Sequence, residues 1–163
     1  MKESSMATNA RMEYAGFNQT APGAIAALSA LSKAVSDSGL DKTLTELIKI
    51  RASQINGCAF CVQYHLHAAH KLSLSETKLD LLAVWREADV FTARERAALA
   101  WTEALTHVTP NGITDDSYQD ASKEFTGSEL AFLTAAIASI NAWNRIAMAY
   151  RFTPPIPQDA TQV

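Results

Sequence analysis

"LTELIKIRASQINGCAFCVQYH", residues 44–65, reads as two helices joined by a two-residue turn. Leu44, Leu47, Ile48 and Ile55 recur at steps of three and four or their multiples, the period of one helix face. Asn56-Gly57 ends that run, because both residues tolerate a positive φ. A second helix then starts at or just after Cys58 and runs to about Leu72.

Working outward, Asp41 caps the first of these helices, and Gly39 closes the one before it. Pro22 suits the first turn of that earlier helix, which runs to about Asp37 with Ala24, Leu28, Leu31 and Val35 at helical spacing. Downstream, Ser75 caps a helix through Trp85 and Arg86. Thr92 and Glu95 form a capping box for another, ending near His107. "TPNG" (109–112) is a turn, and Thr114 caps a short helix that Gly127 breaks. Ser128 then caps a long last helix that stops by Phe152, since "TPPIP" cannot continue it. No strand-period alternation of useful length, linker or clear repeat interrupts this pattern. The expected fold is all-α, a single-domain bundle of about seven helices on short connections. The expected divisions are an N-terminal extension (1–20), the helical domain (21–153) and a Pro-rich tail (154–163). The last helix is apolar around most of its circumference between Leu130 and Ile140. Such a helix is central to one core or shared between subunits, and a homo-oligomer is the favoured reading.

Composition narrows the classes. The 163 residues are 48% hydrophobic and 19% charged, the balance of a soluble globular chain rather than a disordered one. A formal net charge of −3 offers no nucleic-acid footprint. No apolar run of about 18 residues exists to span a membrane. The opening "MKESSMATNARMEY" lacks the apolar core of a secretory signal, so a cytoplasmic location is expected. Met6 offers a second start, with Met1–Ser5 as an extension.

The two cysteines, Cys58 and Cys61, and three of the four histidines lie within residues 56–70. A structural staple is disfavoured, because the cytoplasm keeps thiols reduced and a bridge over two residues restricts the unfolded chain very little. With Cys58 at a helix start, Cys61 lies about one turn on, so the two sulfurs can meet on one face. His65 stacks four residues beyond Cys61. Unpaired backbone N–H groups and the helix dipole favour thiolate at this end, as in Cys-X-X-Cys redox sites. A histidine one turn away can take a thiol proton or supply one to a leaving group. Glu46 lies twelve residues before Cys58, on a helix that must double back at Asn56-Gly57. It can thereby approach His65, to orient the imidazole or accept its proton.

The pattern Glu46–x11–Cys58–x2–Cys61–x3–His65 resembles the signature of the AhpD-like alkylhydroperoxidases, within the carboxymuconolactone decarboxylase superfamily. "KLSLSETKLDLLAVWREADVFTARERAALAWTEALT" and "INAWNRIAMAYR" are similar to that family's peroxidase-related branch, and the likeness spans roughly Pro22 to Arg151. It implies that Cys61 attacks peroxide, that Cys58 resolves the product as a disulfide, and that Glu46 and His65 relay protons. It further implies a hydroperoxide substrate, a thiol or dithiol reductant, no cofactor or metal, and a trimer or hexamer. Two positions depart from the family: Phe60 stands where better-studied members place a histidine between the cysteines, and Ser73 where a glycine usually follows the helix. The residues agree on direction, since His65 reaches Cys61. Cys58, at the helix mouth, is expected to be the sulfur a bulky reductant approaches more easily.

Other readings stand beside this one. Cys58, Cys61 and His65, with His67 or His70, can be read as zinc ligands, but one helix face supplies at most three and no second cluster completes a tetrahedron. Inert buried thiols are the bland alternative, and Glu46 can be an ordinary salt-bridging residue. His67 and His70 read as surface or interface residues. Trp85, Trp101, Trp143, Phe91 and Phe132 read as core or interface, and "READVFTARERAA" as a solvated face. The alternative functions are a lactone or decarboxylation enzyme of the same superfamily, or a redox-sensing binding protein in which the cysteines are incidental.

Overall fold

A computed structural model describes residues 9–157. The Met6 start, the Met1–Ser5 extension and the end of the Pro-rich tail lie outside the described residues. Eight α-helices are present among them: α1 (Tyr14–Thr20), α2 (Pro22–Asp37), α3 (Lys42–Asn56), α4 (Ala59–Lys71), α5 (Glu76–Leu81), α6 (Ala93–Thr106), α7 (Asp115–Glu124) and α8 (Gly127–Tyr150). A 3₁₀ segment, Leu82–Glu87, follows α5. No described helix is long and apolar enough to cross a membrane.

Most boundaries follow from local chemistry. The Asp41 carboxylate accepts the backbone N–H groups of Thr43 (2.7 Å) and Leu44 (3.0 Å), satisfying two donors that α3 leaves free. Thr92 and Glu95 form the expected reciprocal capping box, and Thr114 caps α7. Gly39 and Gly57 sit at φ 87° and 74°, left-handed conformations that end α2 and α3.

Three boundaries differ from the sequence reading. Thr126, not Ser128, caps α8, in a second capping box with Glu129, and Gly127 is the first helical residue rather than a break. The Thr-x-x-Glu spacing outweighs the glycine because a helix start tolerates it. The helix expected through Arg86 stops at Leu81, and Ser75 makes no side-chain cap. There the guanidinium of Arg96 collects the carbonyls of Trp85 (3.1 Å), Arg86 (2.7 Å) and Ala88 (3.0 Å), which holds the chain in a tighter turn. Helix α1 lies inside the expected N-terminal extension and has little helical periodicity. It exists because Phe17 packs beside Phe152 and Tyr150, and Glu13 accepts from the backbone N–H and hydroxyl of Thr153.

Helix α3 is the axis of the core. Leu44 and Ile48 pack with α2, α6, α7 and α8, while Leu47 and Ile50 pack with α4, α6 and the 3₁₀ segment. Ala52 joins the group around the two cysteines. Helix α8 is covered by α2, α3, α4, α6 and α7, so its all-round apolarity is accounted for within one chain. The charged face around α6 is not simply solvated: Lys78 pairs with Glu95 at 2.7 Å and Arg94 with Glu129 at 2.6 Å. Burying α3 on every side carries its one carboxylate, Glu46, into the interior.

Candidate active site

The turn at Asn56-Gly57 reverses the chain so that α4 runs back along α3. A polar network pins this turn to α8. Asn56 Nδ2 donates to Asn141 Oδ1 (2.9 Å) and Asn144 Oδ1 (2.8 Å), and Asn144 Nδ2 donates to Ser53 Oγ (3.0 Å). Cys58 is the N-cap residue of α4, its Sγ accepting the backbone N–H of Cys61 at 3.3 Å. The two cysteines are joined as a disulfide, with Cα atoms 5.3 Å apart.

Packing α4 on α3 brings Glu46 and His65 together, as the sequence predicts. His65 Nδ1 donates to Glu46 Oε2 at 2.7 Å, and Lys49 Nζ donates to the other oxygen at 2.8 Å. Glu46 is 7% exposed. Burial pushes its carboxyl up, but the hydrogen bond and charge of His65, and then Lys49, outweigh that and hold it below the ordinary carboxylate value. When the imidazole is neutral, an ionised Glu46 favours the tautomer with its N–H on Nδ1, which leaves Nε2 as the acceptor. With Cys61 in the disulfide, no hydrogen bond joins it to His65 among the described residues, although both line the same cavity.

A cavity of about 490 Å³ opens onto these residues. Glu46 and Lys49 come from α3, Phe60, Cys61, Tyr64 and His65 from α4, and Ser139, Ile140 and Trp143 from α8. Tyr14 and Ser32 close it from α1 and α2. A smaller cavity of about 120 Å³ continues beyond Ser32, Glu46, Lys49 and Ser139. Cys58 is 2% exposed, packed beside Phe17 and Phe152, and does not reach the cavity. Cys61 is almost as buried, at 4% exposed, but it is the sulfur on the cavity wall. Cys58, at the helix mouth, packs among residues of α1 and of the chain after α8 and is not the more approachable sulfur expected from the sequence.

Sequence reasoning missed Lys49, Tyr14 and the serines. Lys49 carried a signal, since it lies three residues after Glu46 on one helix face. Trp143, expected in core or interface, lines the cavity, whereas Trp85, Trp101 and Phe91 are buried core. His67 and His70 are exposed. Among the described residues no group of three or more His, Cys, Asp or Glu side chains is arranged to hold a metal ion.

Residues 22–104 match the Carboxymuconolactone decarboxylase family. The chain belongs to that family. It is 33% identical over 133 residues to the uncharacterized protein YdfG of Bacillus subtilis, covering 82% of this chain and 90% of the relative. A crystal structure from Agrobacterium tumefaciens superposes with a TM-score of 0.85 and 40% identity, covering 91% of this chain and all of the other. That protein is of unknown function, a candidate antioxidant defence protein AhpD. The alkylhydroperoxidase AhpD core of a peroxidase-related protein from Ralstonia eutropha shares the fold, with a TM-score of 0.74 at 23% identity over 85% of this chain and 74% of that one. The AhpD-like fold is therefore that of this chain, and the Cys58–Cys61 pair sits at the start of α4. Ser73 adopts φ 54°, the left-handed conformation for which glycine is suited.

Proposed function

We propose that this protein is a thiol-dependent hydroperoxidase that cycles Cys58 and Cys61 between dithiol and disulfide. One observation carries the reading: Cys61, bonded to Cys58, shares a cavity wall with the His65–Glu46 pair. In the reduced protein the Cys61 thiol passes its proton through a water to His65 Nε2. The thiolate attacks the terminal oxygen of ROOH, forming S–O as O–O breaks. The leaving RO⁻ takes the proton back from the imidazole as ROH, and Cys61 is left as sulfenic acid. Cys58 then attacks the Cys61 sulfur, the S–S bond forms, and hydroxide leaves as water with the Cys58 proton.

Two thiols of an external reductant restore the dithiol by exchange and end as a disulfide themselves. The first attack falls on Cys61, the sulfur the cavity reaches. It releases Cys58 thiolate, which the N–H of Cys61 and the α4 N-terminus stabilise. The cycle needs a reducing compartment, in keeping with the cytoplasmic location expected from the sequence. A homo-oligomer belongs to the same proposal. Ala24, Ala27, Leu31 and Ala34 form an exposed apolar stripe on α2, and light scattering at micromolar concentration should find more than a monomer.

The decisive experiment titrates reduced protein with a hydroperoxide and follows free thiol and intact mass. The expected result is stoichiometric loss of two hydrogens as the Cys58–Cys61 disulfide forms, with Cys58→Ser accumulating sulfenic acid on Cys61. Peroxide consumption that survives removal of both cysteines would reject the proposal.

A further inference from the structure

The cavity is larger and more aromatic than the chemistry of an O–O bond requires. Its volume of about 490 Å³ falls in the range of sites that enclose organic ligands. A water molecule takes only about 30 Å³ of liquid, and hydrogen peroxide is not much larger, so it would leave most of this space filled by solvent. The walls are also unequal. Along α8, Ser139 faces Ser32 at 3.3 Å beside Lys49 and Glu46, whereas Trp143 and Ala147 lie one and two turns further on. That step of eight residues moves about 12 Å down the helix.

At the far end four rings gather. Phe60 stacks with Tyr14 (centroids 6.4 Å, planes 18° apart) and with Tyr64 (6.2 Å, 19°), and Trp143 tilts against Tyr14 at 6.3 Å. Tyr14 is 41% and Tyr64 57% exposed, so the edge of this aromatic group is open to an incoming ring. Tyr14 and Trp143 lie outside residues 22–104, so this wall is only partly a feature of the matched family segment.

We propose that the aromatic end is a binding site for an arene ring, and that the preferred substrate is a hydroperoxide whose carbon skeleton carries one. The ring rests against Tyr14, Phe60 and Trp143, and the hydroperoxide group reaches Cys61 next to Phe60. Small peroxides make none of these contacts. This inference takes the substrate class from the aromatic wall and rests on the hydroperoxidase reading for the reaction. The arene site itself does not depend on turnover.

Two matched pairs test it, each differing by phenyl against methyl. In single-turnover oxidation of the reduced cysteines, cumene hydroperoxide should react with a second-order rate constant about tenfold or more above that of tert-butyl hydroperoxide. This is the factor expected from burying the ring. In calorimetric or NMR titration of the disulfide form, 2-phenyl-2-propanol should bind about tenfold or more tighter than tert-butanol. Both ratios should fall several-fold in Trp143→Ala and in Tyr14→Ala. Equal rates and equal affinities within each pair would overturn the arene site while leaving the hydroperoxidase reading in place. Selective binding of 2-phenyl-2-propanol with no oxidation by either peroxide would uphold the site and reject the reaction. Ratios unchanged in both variants would show that the selectivity lies elsewhere and would overturn the proposal.

Discussion

His65 Nδ1 and Glu46 Oε2 lie 2.7 Å apart across nineteen residues of chain, on two helices joined by a single tight turn. Lys49 holds the other carboxylate oxygen, so Glu46 spans an imidazole and an ammonium. The arrangement makes Glu46 an orienting anion more than a terminal proton acceptor, because both neighbours favour its charged form. In the proposed reaction it directs Nε2 of His65 to serve as the base.

Removing the base should therefore cost more than removing the anion. His65→Ala should slow single-turnover peroxide attack by about 10²–10⁴, the usual contribution of a positioned general base. Glu46→Gln should slow it less, since an amide oxygen can still accept from Nδ1. Rates of free-thiol loss in stopped flow, taken across pH, measure both. Equal rates in the wild type and the two variants would leave Cys61 activated by the helix terminus alone.

Stability should depend on pH through Glu46. Its folded pKa lies below the ordinary value, so in the intervening window the unfolded chain binds more protons. The stabilisation is present above the ordinary carboxylate range and is lost as pH falls through the lowered folded pKa. Urea midpoints measured downward from neutral pH should fall more steeply for wild type than for Glu46→Gln. Glu103, held low by Trp85, Arg86 and Arg51 against its own burial, contributes with the same sign to both proteins and cancels in the difference. Lys49→Met should make this loss smaller and complete it at a higher pH, because a group that holds the folded pKa down is gone and the window between the two pKa values narrows.

Asn144 is fully buried and bonded to both Ser53 and Asn56. Asn144→Ala removes two hydrogen bonds, leaves polar partners unpaired and opens a void. We expect a loss of about 2–4 kcal/mol in urea unfolding. The same variant should slow closure of the Cys58–Cys61 disulfide, because the turn before Cys58 loses its anchor on α8.

The two left-handed turns flanking α4 predict opposite effects. Gly57 has open space around a would-be Cβ, so Gly57→Ala should cost about 1–2 kcal/mol through backbone conformation alone. Ser73 already occupies that conformation, and Ser73→Gly should stabilise by about 0.5–1 kcal/mol once the flexibility of glycine in the unfolded chain is set against the relief. Thermal or urea unfolding of the two variants checks both signs.

Much of this molecule was legible in the sequence because the signals are local. The Asp41 cap, the Thr92–Glu95 box, the Gly39 and Gly57 ends and the all-helical class each depend on residues within a few positions of one another. The Glu46–His65 pair was legible for a related reason: one short turn leaves two helices little freedom except to lie antiparallel. Tertiary packing decided the rest. Helix α1 has no sequence signature, since docking on the end of α8 forms it, and that docking buries Cys58 and leaves Cys61 as the sulfur on the cavity wall. Lys49, Tyr14 and Trp143 come from three helices, α3, α1 and α8, and no spacing along the chain announces that they share a cavity. A helix period says which residues point the same way, whereas which faces meet depends on burying apolar surface from all eight helices at once.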